Sequence, residues 1–159
     1  MRAARLPRAA LRTASIHGRL GPAGAATGKG LIGVERTDFV NVATQNLQRA
    51  VKFYGETLGL PRNPRSSDEW PEFETGNVTL LLASADKTGV PFSPSNNAIA
   101  LRVADVDTAR DRLKGAGVEF LFEETYDTGV CKMAFFKDPD GNALILHRRY
   151  APYSDGTTP

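Results

Sequence analysis

The sequence predicts an α+β fold made of two tandem, divergent β-α-β-β-β modules. Three observations predict it. Short β-branched and aromatic runs alternate with one helical period in each half of residues 35–150. The same order of periods and breakers occurs twice. Each half closes on a Gly-Asn turn followed by an apolar strand, at Gly76-Asn77 and at Gly141-Asn142.

The elements follow in order. Residues 35–43 read as a strand. Asn46 is placed to cap a helix carrying Leu47, Ala50, Val51, Tyr54 and Leu58 at helical spacing, and Gly59 stops it. Residues 69–75 and 78–84 are strands about Gly76-Asn77. The pattern then repeats: a strand at 97–103, and an Asp105-capped helix with Val106, Ala109, Leu113 and Ala116 ended by Gly117. Strands at 118–122, 130–137 and 143–149 complete it, the last two joined by Asp138-Pro139-Asp140-Gly141-Asn142. Pro and Gly make the two acids of that segment turn formers and nothing more.

A length of 159 residues suits one domain with a real core, and 41% hydrophobic and 24% charged residues suit a globular chain. No apolar run is long enough for a membrane helix. One cysteine, Cys131, excludes an internal disulfide framework and a thiolate zinc cluster. The net charge of +2 conceals an asymmetry: residues 1–34 hold six bases and no acid, leaving 14 bases against 18 acids elsewhere. The folded part is mildly acidic, and no nucleic-acid partner is expected. Residues 1–33, rich in Arg, Ala and Gly, are expected to be disordered. They read as a functionless extension or the product of a mis-assigned start near Val34, giving a cytoplasmic protein; the alternative is an organellar transit peptide, giving a mitochondrial or plastid one. Residues 34–150 are the single domain, with modules at about 35–85 and 97–150, and 151–159 form a tail.

Three segments, Phe53-Tyr54 with Leu58-Gly59-Leu60, Arg102-Val103-Ala104-Asp105-Val106, and Phe135-Phe136-Lys137-Asp138-Pro139-Asp140-Gly141-Asn142, occur in an order that resembles the vicinal oxygen chelate superfamily. That superfamily includes glyoxalase I, extradiol dioxygenases and bleomycin-resistance proteins, and the resemblance covers about residues 35–150. It implies that each module's strands curve into half of a cup with helices packed outside, and that two copies form a homodimer. It also implies a metal ligand on the first and last strands of each module. Carried over, those positions are Phe39, Leu80, Ala98 and Ile145, and a slip of two at Leu80 gives Val78 or Leu82. None offers a donor to a divalent cation, so no metal and no cofactor is expected.

Period-two alternation then assigns faces. Ala98, Ala100 and Arg102 point into the cup with Phe39, Asn41 and Ala43, and so do Ala143, Ile145 and His147. Even register about the turn adds Cys131, Met133 and Phe135. Trp70, Glu72 and Glu74 share a face that alternation alone leaves open. The expected ligand-binding set is Phe39, Asn41, Leu80, Ala98, Arg102, Cys131, Met133, Ile145 and His147, a mostly apolar lining with few polar groups.

Each polar candidate has a plain alternative. His147 is a general base or a donor to an anion, or a strand-end histidine bonded to a neighbour. Arg102 clamps a carboxylate or phosphate, or makes a salt bridge. Asn41 is a ligand contact or a satisfied core amide, and Cys131 a small hydrophobe. Arg148-Arg149 and residues 62–68 read as solvated surface. The function expected is binding of a small organic molecule in the cup without a divalent metal. The alternative is a metal-independent isomerase, lyase or hydrolase using His147 and Arg102 as catalytic groups. The ligand positions argue against a third, a metal-dependent glyoxalase or dioxygenase.

Overall fold

Alternating burial sets the first strand, β1 (Phe39–Thr44): Val42 and Thr44 are buried while Phe39 and Asn41 are exposed. The computed structural model describes residues 34–159, so the expectations for residues 1–33 lie outside the described residues. Asn46 caps α1 (Leu47–Lys52) as predicted, its Oδ1 accepting from Arg49 N at 3.0 Å. The helix runs on into a wider π turn, Phe53–Thr57, in which Leu58 N donates to Phe53 O and Leu60 N to Tyr54 O. Gly55 sits where a Cβ would lie 3.1 Å from the Phe73 ring, so the turn presses directly onto the next strand.

That strand, β2 (Glu72–Glu74), is shorter than residues 69–75, and it pairs antiparallel with β3 (Thr79–Ser84). A short helix, α2 (Ala85–Thr88), follows and was not foreseen. The second module supplies β4 (Ile99–Arg102) and α3 (Val106–Gly115), whose cap Asp105 accepts from Thr108 N at 2.7 Å. Residues 118–122 make only the Phe120–Phe136 bridge, and a two-residue strand, β5 (Tyr126–Asp127), comes in afterwards. The hairpin of β6 (Cys131–Lys137) and β7 (Ala143–Arg149) closes the module.

The strands form two open, curved sheets, in orders β1-β3-β2 and β4-β7-β6-β5. In each module the first strand lies parallel to the last and forms the sheet edge. The helices cover one side, where a continuous core joins Val42, Phe53, Tyr54, Phe73, Leu80 and Leu82 to Val106, Leu113, Phe136, Leu144 and Leu146. The side left uncovered by α1 and α3 is the open face.

One expected inward residue is on the wrong side. Leu80 is fully buried in the helix-side core, paired with Val40 and Phe73, so it does not face the cup. The neighbouring Leu81 does, opposite Asn41 and Glu72. Turn length explains the shift. Glu74 pairs with Thr79 across four residues, 75–78, whereas Lys137 pairs with Ala143 across five, 138–142. A one-residue difference turns every following side chain over. Val78 and Leu82 are displaced by the same argument, and Leu82 is fully buried.

Candidate functional site

Cross-strand register builds the site. Arg102 lies beside His147, His147 beside Met133, and Met133 beside Tyr126. Paired residues share a face, so these four side chains form one row across β4, β7, β6 and β5 on the open face. With strands roughly 4.8 Å apart, the row spans about 14 Å. The adjacent row is Ala100, Ile145 and Phe135. Phe122 packs edge-to-face on Phe135, with ring centres 5.8 Å apart. Ala143 and Lys137 form a further row, and Cys131 pairs with Arg149 at the other end.

Arg102 and His147 form no side-chain hydrogen bond or ion pair among the described residues, and Asn41 likewise stands exposed without one. Neither the salt bridge nor the satisfied core amide weighed for these residues is present. Cys131 is half-buried, with Sγ 3.3 Å from Thr128 Oγ1. Arg149 is not free surface: it donates to Ala151 O and Pro152 O and lies over the Tyr153 ring.

On the first module the open face holds Phe39, 54% exposed, with Asn41, Thr79 and Leu81. The structure decides the face of β2. Phe73 is buried opposite Leu80, so Glu72 and Glu74 stand on the open face opposite Leu81 and Thr79. Both are engaged: Asn63 Nδ2 donates to Glu72 Oε2 at 2.7 Å and Thr79 Oγ1 to Glu74 Oε2 at 3.0 Å. The open face is thus acidic on the first module and basic at the Arg102 end of the second.

Between the modules lies a cavity of about 800 Å³ lined by Leu60, Pro61, residues 74–78 and Ile99 to Arg102. Its volume is within the range of small-molecule sites. Val103 N donates to His147 O, so alternation turns the peptide groups of Ala100 and Arg102 away from β7, toward this seam. Glu74 and Arg102 both line it without forming an ion pair within 4 Å.

The far end of the seam is closed by polar ties. Asn142 Nδ2 donates to Ala43 O at 2.9 Å, and Ser95 N donates to Asn142 Oδ1. Asp140 accepts from Thr44, Gln45 and Arg49. Asp138 is buried and accepts from the Tyr54 hydroxyl at 3.0 Å. The two acids therefore do more than form a turn; they anchor it on the first module. Burial first, and the Asp138 carboxylate second, push the Tyr54 hydroxyl far above the ordinary tyrosine range.

The positions to which the resemblance carries metal ligands are Phe39, Leu80, Ala98 and Ile145, and with Leu80 turned into the core its neighbour Leu81 takes the open-face place. They provide hydrocarbon where a cation needs oxygen, nitrogen or thiolate donors, and the residues present do not fit a metal. Among the described residues no group of three or more His, Cys, Asp or Glu is placed to hold one.

A family profile, Glyoxalase/Bleomycin resistance protein/Dioxygenase superfamily, matches residues 36–146. The chain belongs to that superfamily. Solved members of this vicinal oxygen chelate fold include TnmS3, an antibiotic-binding protein from Streptomyces sp. CB03234: 25% identity, 74% of this chain and 98% of that one covered, TM-score 0.61. A glyoxalase/bleomycin resistance protein/dioxygenase from Nocardioides is 23% identical over 74% of this chain and 85% of that one, TM-score 0.58. Lactoylglutathione lyase from Agrobacterium tumefaciens is 16% identical over 72% and 93%, TM-score 0.60, and shares the fold alone. No curated protein sequence matches the chain.

Alternation found most of the open face of the second module. It missed Tyr126, because a two-residue strand has no period to detect. It missed Leu81 because an unbroken apolar run hides its phase.

Proposed function

We propose that this vicinal oxygen chelate protein binds a small organic molecule on its open face without a divalent metal. One observation carries the proposal: Arg102 and His147 stand side by side, without side-chain partners among the described residues, at the end of a row whose other members are Met133 and Tyr126. Unpaired polar groups beside apolar surface are the usual make-up of a ligand site. The antibiotic-binding protein TnmS3 supports small-molecule binding as a use of this fold.

The adjacency of Arg102 and His147 also favours a second reading, a metal-free enzyme in which His147 moves a proton and Arg102 steadies a developing oxyanion. Exchanging each residue for alanine separates the two. Loss of affinity with no turnover in any variant supports binding alone. Turnover that disappears while affinity is kept supports the enzyme. Stoichiometric zinc, nickel or iron in the purified protein, with binding abolished by a chelator, would overturn the metal-free proposal.

A further inference from the structure

We propose that the ligand is an organic carboxylate with an apolar, aromatic-sized body, its carboxylate held between Arg102 and His147. The inference rests on the open-face site proposed above and names the class of molecule that it takes.

Charge comes first. Arg102 is exposed, lines the seam cavity, and has no acid within ion-pair distance among the described residues. The acids of the same face, Glu72 and Glu74, are held by Asn63 and Thr79 instead. A planar guanidinium without a partner matches a carboxylate two bonds at a time. His147, one strand away on the same face, adds a further donor. One guanidinium and one imidazole suit a monoanion. A phosphate dianion needs more donors, and Glu72 and Glu74 across the face oppose a second negative charge.

The body follows from the register. Next to the Arg102–His147 pair are Ala100, Ile145, Met133 and Phe135, a surface without a formal charge. Ala100 is small and exposed, which leaves room over β4 beside Ile145. Phe122 on Phe135 and Tyr126 beside Met133 raise aromatic walls at the far side. The row from β4 to β5, about 14 Å from strand to strand, has room for one or two fused rings plus a carboxylate.

The test uses the full-length protein and calorimetric titration with 1-naphthoate, 1-naphthamide and 1-naphthyl phosphate. Naphthoate is expected to bind roughly 10- to 100-fold more tightly than the uncharged amide, the range of a charge-assisted hydrogen-bonded pair. Arg102→Met is expected to bring naphthoate down to the level of the amide, and His147→Phe to narrow the gap in part. Arg65→Gln, which removes a charge elsewhere, is expected to change nothing. Equal binding of naphthoate and amide, or tighter binding of the phosphate, overturns the carboxylate class and leaves the site standing. Ala100→Trp fills the open face without touching the core, and binding that survives it overturns the site as well. Absence of binding by all three probes overturns both, and a dimer that Ile145→Asp dissolves then assigns the face to a second copy.

Discussion

The Tyr54 hydroxyl donates to Asp138 Oδ2 at 3.0 Å, joining the π turn of the first module to the hairpin turn of the second. Tyr54 is fully buried and Asp138 nearly so. Asn142 Nδ2 shares the same carboxylate oxygen at 2.7 Å, and the peptide N–H groups of Asp140 and Asn142 take the other. A buried carboxylate persists here because its acceptor sites are filled.

Tyr54→Phe removes one donor from that carboxylate and leaves the ring packing unchanged. The expected loss is about 1–3 kcal/mol, the cost of under-satisfying a buried acceptor. Urea denaturation with an unchanged slope checks it.

The raised Tyr54 hydroxyl has an alkaline consequence. Its stabilising contribution is complete below the unfolded tyrosine value of about 10 and is lost as pH rises above it, toward the folded value. Ultraviolet titration of wild type against Tyr54→Phe should therefore show no phenolate difference while the protein is folded. One extra phenolate should appear on alkaline unfolding.

Asn142→Ala cuts the tie to Ala43, Ser95 and Asp138 together. A loss of about 2–4 kcal/mol is expected, from several bonds and newly unpaired groups. Amide exchange should quicken at Ser95 N first, since Asn142 Oδ1 is its acceptor.

Leu80→Ala and Leu81→Ala test the face assignment. Leu80 lies in the core, so its truncation should cost about 2–5 kcal/mol. Leu81, on the open face, should cost under about 1 kcal/mol. Ligand affinity should fall only with the second.

Hydrogen bonds from Lys132 and Thr125 hold the Asp107 carboxyl below the ordinary carboxylate range. Its contribution is present above the unfolded value of about 3.9 and is lost as pH falls through the lower folded value. In Lys132→Met the Asp107 titration should move upward, read by carboxyl-carbon chemical shift. The pair is substantially exposed, so stability should change little.

Much of this was legible in residues. Asn46 and Asp105 announced their helices because a cap needs a side-chain acceptor at one defined place. Ala98 to Val103 and Ala143 to His147 alternate between the two faces, and the β6–β7 register agrees with even pairing about the turn. The Arg102–His147–Met133 row follows from those three strands. Tyr126 does not, because β5 exists only by pairing with β6.

What the amino-acid sequence determined by itself was the duplication, the two capped helices with the first and last strands of each module, and the inner face of the second module, since local periods and breakers encode them. Hydrocarbon at Phe39, Ala98 and Ile145 was equally plain. Only the tertiary structure decided the phase of β3, and with it Leu81 in place of Leu80 and the open-face position of Glu72 and Glu74. The physical reason is that Val78 to Ala83 contain no clear polar alternation. A strand without period takes its face from its neighbours, here the four-residue turn and the burial of Phe73 against Leu80.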